Sequence, residues 1–139
     1  MGNFTFSTKY KLQGLLLVLS IFLCNIDCLA LDTWNGSQRG PAPALSGSTY
    51  TITRCRELAW LADQVNVGTT FAGFTFILAD DLNLGNFSWT PIGNNTRPFS
   101  GTFNGQSRTI YNLNINNSGS SYAGLFGYIG NNASISNTY

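Results

Sequence analysis

The sequence predicts an all-β protein, a parallel β-helical solenoid with one N-terminal helix, and three observations predict it. Of 139 residues, 14% are aromatic, 9% are charged and fifteen are glycine, which suits short packed strands joined by many turns rather than disorder. From Phe71 onward, short apolar runs alternate with clusters of Gly and Asn that supply tight corners. The segment Ile110-Tyr111-Asn112 recurs as Ile135-Ser136-Asn137, an offset of 25 residues. That offset suits one layer of a solenoid whose neighbouring layers supply the core. Asparagines at equal places in successive layers would stack their amides into a hydrogen-bonded ladder.

Residues 1–30 read as a secretory leader. Lys9 and Lys11 precede an apolar run from Leu12 to Cys24, shorter than the ~20 residues a bilayer span needs. Cys28 and Ala30 put small residues at the −3 and −1 positions, which places cleavage after Ala30. The chain from Leu31 carries five Arg, five acidic residues and no Lys, and Cys55 is its single cysteine. With no cysteine pair, stability must come from packing and backbone hydrogen bonds, and Cys55 reads as a small buried residue rather than a reactive thiol.

Residues 31–48 are rich in Gly, Pro, Ser and Ala and read as an extended leader into the fold. Over residues 49–70, Tyr50 and Ile52 alternate with Thr49, Thr51 and Thr53, a short strand. Leu58, Leu61, Ala62 and Val65 then fall at i, i+3, i+4 and i+7, the apolar face of a helix with Thr53 as N-cap and Gly68 as its stop. Residues 71–139 read as the solenoid layers. Their strands centre on Phe74, Phe76 and Leu78; on Leu82 and Leu84; on Phe99 and Phe103; on Ile110, Leu113 and Ile115; and on Leu125, Phe126 and Ile129. Turns fall at Gly93-Asn94-Asn95, at Asn104-Gly105, at 116–119 and at Gly130-Asn131-Asn132.

The absence of histidine excludes imidazole base catalysis and zinc sites that rely on it within this chain. A net charge of +1 with no basic run argues against a nucleic-acid partner. Asp80 and Asp81, with Asn83, are the only clustered oxygen ligands. Calcium wants six to eight oxygens, and adjacent strand residues point to opposite faces, so the pair reads as a solvated turn. Neither this pair nor Glu57 and Asp63 on the helix, nor Arg97 and Arg108, assembles an acid, a base and a substrate clamp. No cofactor or metal is expected, and the chain reads as non-catalytic. Trp34, Trp60, Trp89, Tyr122, Tyr128 and Tyr139 are of the type that stacks on sugar rings, with packing the simpler role. Asn35, Asn86, Asn94, Asn116 and Asn132 stand in Asn-x-Ser/Thr sequons, acceptors in a eukaryotic secretory host and turn residues in a bacterium.

The blocks Trp89-Thr90-Pro91-Ile92-Gly93, Phe99-Ser100-Gly101-Thr102-Phe103-Asn104-Gly105, Thr109-Ile110-Tyr111-Asn112-Leu113 and Ala123-Gly124-Leu125-Phe126-Gly127, with Asn137 opening a further repeat, resemble the GLUG-motif repeat proteins. Such repeats occur mainly in large bacterial surface proteins, adhesins among them. The resemblance covers about residues 49–139 and implies a right-handed parallel β-helix, of which this chain would be the truncated N-terminal piece. The motif positions are then structural: Trp89, Pro91, Gly93, Phe99, Gly101, Phe103, Gly105, Asn112, Gly124, Leu125, Phe126, Gly127 and Asn137. Where the family commonly has Asp-Gly, this chain has Asn104-Gly105, which still suits a tight turn.

The expected function is a secreted or surface-displayed structural and interaction module, part of an adhesin-type protein. Its partner would be a host-surface protein or a glycan. A carbohydrate-binding or polysaccharide-lyase-like fragment, or an accessory domain of an exported peptidase, is the alternative. No membrane span is expected after the leader, and an uncapped end would favour end-to-end self-association if the chain were complete.

Overall fold

The computed structural model describes residues 31–116 and 121–139. The leader, its cleavage after Ala30 and most of the 116–119 turn lie outside the described residues. The strands are β1 (Asp32–Thr33), β2 (Ala44–Ser46), β3 (Thr49–Ile52), β4 (Thr75–Leu78), β5 (Leu82–Asn83), β6 (Thr102–Arg108), β7 (Ile110–Tyr111) and β8 (Ser134–Thr138). One helix, α1 (Cys55–Val67), follows β3.

The strands divide into two small sheets. One has the order β1-β5-β7 and is parallel throughout. The other, β2-β3-β4-β6-β8, is mixed, because β2 turns back on β3 as an antiparallel hairpin with Ser46 opposite Thr49. Gly47 sits at φ 60 in that two-residue turn, a conformation the right-handed strand twist favours there. From β3 onward this sheet is parallel, with Tyr50, Phe76, Phe103 and Ile135 in register.

This arrangement corrects the expected fold class. The described residues form two small sheets, one of them mixed, with a helix packed against them, and not a right-handed parallel β-helix. The apparent repeat fails for a definite reason. Ile110 pairs with Leu82 in the three-stranded sheet, whereas Ile135 pairs with Phe103 in the five-stranded one. The two Ile-x-Asn segments therefore occupy different sheets and are not successive layers of one. Residues 31–48, read as an extended leader, contain β1 and β2.

Helix α1 forms where its apolar spacing predicts. Leu58, Leu61, Ala62 and Val65 are buried, with Cys55 and Ala59 beside them. Gly68 closes the helix at φ 118: its N–H reaches Val65 O, and Thr69 N–H reaches Gln64 O, each at 2.9 Å. This Schellman closure needs a left-handed residue, which glycine adopts without a Cβ clash. The N-cap is Arg54 rather than Thr53. Glu57 explains the shift, because its Oε2 accepts from Thr53 N–H at 2.8 Å, the Thr53 hydroxyl at 3.2 Å and Arg54 N–H at 3.1 Å. The Thr53 hydroxyl thus serves the carboxylate instead of capping the backbone, and the first turn is held by the Glu57 half of a capping box.

One apolar cluster joins the helix to both sheets. Phe76, Phe99 and Phe103 are fully buried, as are Leu78, Leu82, Leu84 and Ile92. Tyr50 stacks on Phe76 at 4.8 Å, and Phe71 meets Phe76 edge-on at 5.0 Å. No buried polar side chain among the described residues lacks a hydrogen-bond partner, so burial here leaves no desolvated orphan to offset the packing gain.

Candidate functional site

The loop after Trp89 is fixed to the end of α1 by one side chain. Asn66, in the last turn of the helix, donates through Nδ2 to Pro91 O at 3.0 Å and accepts at Oδ1 from Gly93 N–H at 3.1 Å. Arg97 donates back to Asn66 O. A side-chain amide has both donor and acceptor, so it can satisfy a bend whose backbone groups have no strand partner. Gly93 is buried at φ 80, and a Cβ there would overlap Tyr128 O. No other residue type fits both the conformation and the space. Asn94 turns the next corner by accepting from Thr96 and Arg97 N–H, each at 3.1 Å.

Two of the motif blocks lock onto each other. Ile92 pairs in parallel with Phe126, through Ile92 N–H to Leu125 O and Gly127 N–H to Ile92 O, each at 2.9 Å. Trp89, buried against Trp34 at 5.4 Å, donates its indole N–H to Leu125 O at 3.1 Å. Gly127 brings its backbone against Gly93 O, and half-buried Gly124 precedes it on the same segment. Phe126 then packs on Phe99 and Phe103 at 5.3 and 5.2 Å. Gly101 and Gly105 are also buried, Gly101 facing Phe71 O and Phe74 O, and Gly105 facing Asn137 O.

Asn112 and Asn137 both adopt left-handed backbone, at φ 56 and 52, which Asn tolerates better than most side chains. Their amides do pair across strands, though with other partners than the sequence suggests. Asn112 donates to Asn83 Oδ1 at 2.9 Å, and Asn137 donates to Asn104 Oδ1 at 3.2 Å. The same oxygens accept from Gly85 and Gln106 N–H, each at 2.9 Å.

The residues considered for chemistry are dispersed or committed. Asp81 Oδ1 accepts from Thr109 N–H at 3.0 Å, and Asp80 is exposed. Glu57 caps the helix, and Asp63 pairs with Arg39 at 2.7 Å on the surface. Among the described residues, no three His, Cys, Asp or Glu side chains gather to hold a metal. Cys55 is buried, with its Sγ 3.1 Å from Asp32 O and 3.3 Å from Asn83 O, while its own N–H donates to the Asp32 carboxylate. Burial, and then the negative Asp32 carboxylate, pushes the thiol from 9.0 up to about 12. It is therefore a neutral thiol at physiological pH.

Trp34 and Trp89 are buried and Trp60 is half-buried, tilted against Tyr50 and Phe71 at 5.9 Å. The tryptophans are thus given to packing. The exposed aromatics are instead Tyr139, Phe87, Tyr111 and Tyr128, and half-buried Tyr122 meets Tyr128 edge-on at 5.7 Å beside the Gly93–Gly127 lock. The sequon residues Asn35, Asn86, Asn116 and Asn132 are exposed and Asn94 half-buried.

Asn66 and Asp32 carry much of this geometry without drawing attention in the sequence, and Asn83, considered there only as an oxygen ligand beside Asp80 and Asp81, joins them. Their only local signal is a polar side chain where the apolar pattern is interrupted, and their partners lie more than twenty residues away.

No family model matches the chain, and no solved structure matches it. Two curated proteins are similar to parts of it. One, from Evansella cellulosilytica, is 38% identical over 71 residues and is a Gly-rich protein named as a membrane protein; the match covers 47% of this chain. The other is halomucin from Haloquadratum walsbyi, 44% identical over 54 residues, or 38% of this chain. The matches span 8% and 1% of those proteins. Neither name states a reaction. Among the described residues, no helix is long and apolar enough to cross a membrane.

Proposed function

We propose that the chain is a surface-exposed structural and interaction module that works without catalysis and without a cofactor, exported and displayed at or beyond the cell surface. The observation that carries this reading is the lock between Trp89–Gly93 and Leu125–Gly127, in which the motif residues serve packing and backbone closure. Acidic side chains considered for catalysis have structural partners, as Asp81 has in Thr109 and Glu57 in the helix cap. The names of the two relatives, a Gly-rich membrane protein and a halomucin, agree with a surface setting. The likeness of the four motif blocks to GLUG-motif repeats of adhesin-type proteins points the same way. Its partner is then a surface protein or glycan rather than a nucleic acid, given the near-neutral charge.

The test is fractionation of the full chain expressed in an exporting bacterium, with the N-terminus sequenced. The expected product starts at Leu31 and lies outside the cytoplasm, and it leaves polysaccharide substrates intact. A cytoplasmic product, or polysaccharide turnover lost on Asp81→Ala, would overturn the reading.

A carbohydrate-binding role has one specific observation in its favour, exposed Tyr128 met edge-on by half-buried Tyr122. Stacking of a sugar ring on an exposed aromatic typically contributes about 1 kcal/mol. It predicts saturable glycan binding that weakens roughly fivefold in Tyr128→Ala with the fold intact. A glycan array without signal removes this role.

A further inference from the structure

We propose that Asn35-Gly36 is a self-modification site, at which the fold poises the Asn35 side chain to cyclise onto the Gly36 nitrogen with loss of ammonia. Water then opens the ring to a carboxylate. The turn supplies what this reaction needs. Asn35 Oδ1 accepts from Ser37 N–H at 3.1 Å and from Gln38 N–H at 2.9 Å. Bonds to the second and third N–H ahead fold the side chain forward along the backbone, over the intervening Gly36 nitrogen. Asn35 is exposed, and among the described residues neither its Nδ2 nor the Gly36 N–H has a hydrogen-bond partner. Nucleophile and leaving group are thus both free. Gly36 itself sits at φ 84, where a Cβ would lie 2.7 Å from a Phe87 ring carbon. The fold therefore demands glycine there, the residue that leaves the nucleophile uncrowded.

In the first step the Gly36 nitrogen bonds to the Asn35 Cγ, and Oδ1 takes the negative charge. The Ser37 and Gln38 N–H groups already stand where that charge develops, as in an oxyanion hole. The Cγ–Nδ2 bond then breaks, the Gly36 proton passes through solvent to the departing amine, and ammonia leaves. Water adds to either ring carbonyl. The product is Asp at position 35, or an isoaspartyl link whose backbone is longer by a methylene. Water is the only co-reactant.

Two other asparagines separate the causes. Asn104-Gly105 is the same pair in sequence, but it lies inside β6, with Asn104 in register with Ser136 and buried Gly105 against Asn137 O. Turning Asn104 onto the Gly105 nitrogen would break that pairing. Asn94 has the same kind of backbone donors, from Thr96 and Arg97. Asn95 follows it, however, and a side chain on the attacking residue crowds the ring. Conversion at position 35 adds a negative charge to the turn that holds Gln38, whose carbonyl accepts the indole N–H of buried Trp34 at 2.8 Å. The Arg39 guanidinium lies over that indole at 5.4 Å.

The test is to age the purified full chain at mildly alkaline pH, folded in buffer and unfolded in concentrated urea, and to follow each asparagine by peptide mapping with mass spectrometry. In the folded chain Asn35 converts at least about tenfold faster than Asn104 or Asn94. In urea Asn35 and Asn104 converge, and Asn35 reacts no faster there than in the fold. Slower conversion of Asn35 in the fold than in urea, equal rates at Asn35 and Asn104 in the fold, or no conversion at Asn35 would overturn the proposal. Each of these results would leave the surface-module reading standing.

Discussion

Cys55 shows how one buried group sets a pH dependence. Below pH 9 the thiol is neutral in both the folded and the unfolded chain, and the stability linked to it is fully present. As pH rises from 9 toward 12, the unfolded chain releases this proton while the folded chain keeps it, because burial and Asp32 oppose the thiolate. Stability then falls by up to about 1.4 kcal/mol per pH unit. Urea titrations at pH 8 and pH 10 should show this loss, and Cys55→Ala should show a smaller difference between the two pH values. An equal difference in both proteins would mean that Cys55 is not the linked group. Gly93 makes the steric counterpart. Gly93→Ala must adopt φ 80 and push a methyl into Tyr128 O, which should cost about 2–4 kcal/mol by denaturant midpoint. A midpoint unchanged within error would mean that the loop relaxes around the methyl.

Between elements, the joints are polar and the faces apolar. Asn66 ties the last turn of α1 to Pro91 and Gly93 with one donor and one acceptor. Asn66→Leu removes both and strands two backbone groups, an expected loss of about 2–3 kcal/mol. Asn66→Asp keeps the acceptor for Gly93 and should lose less; equal losses in the two variants would argue against the paired hydrogen bonds. At the other helix end, Glu57→Ala frees Thr53 and Arg54 N–H, and about 1 kcal/mol should be lost in thermal unfolding. The sequence makes the helix legible, since the spacing of Leu58, Leu61, Ala62 and Val65 is local and Gly68 stops it. It misplaces the cap, because the choice between Thr53 and Arg54 depends on where the Glu57 carboxylate comes to lie.

Across the whole molecule, protection should follow the burial of the apolar columns. Amides of β3 and β4, which lie between other strands, should exchange slowly. The amides of β2, which pairs with β3 alone among the described strands, should exchange faster. Hydrogen exchange checks this, and uniform protection across the sheet would contradict it. The strand at Phe76 was legible, since Phe74, Phe76 and Leu78 alternate with Thr75 and Ile77. The assembly was not. An Ile-x-Asn segment recurring after 25 residues looks like a repeat, yet Asn112 meets Asn83 and Asn137 meets Asn104.

By itself the sequence determined the strands around Tyr50 and Phe76, helix α1 and its stop at Gly68, and the corners at Gly93-Asn94-Asn95 and Gly130-Asn131-Asn132. Each of these follows from side-chain spacing or backbone freedom within a few residues. The turn expected at Asn104-Gly105 instead lies inside β6, and the strand expected on Leu125, Phe126 and Ile129 is only isolated bridges. Only the tertiary structure decided which strands are neighbours, that β2 turns back to make one sheet mixed, and that Asn66, Asn83 and Asp32 hold distant segments. Pairing between strands far apart in the chain depends on which complete set of registers buries the apolar columns together, and no local pattern carries that information.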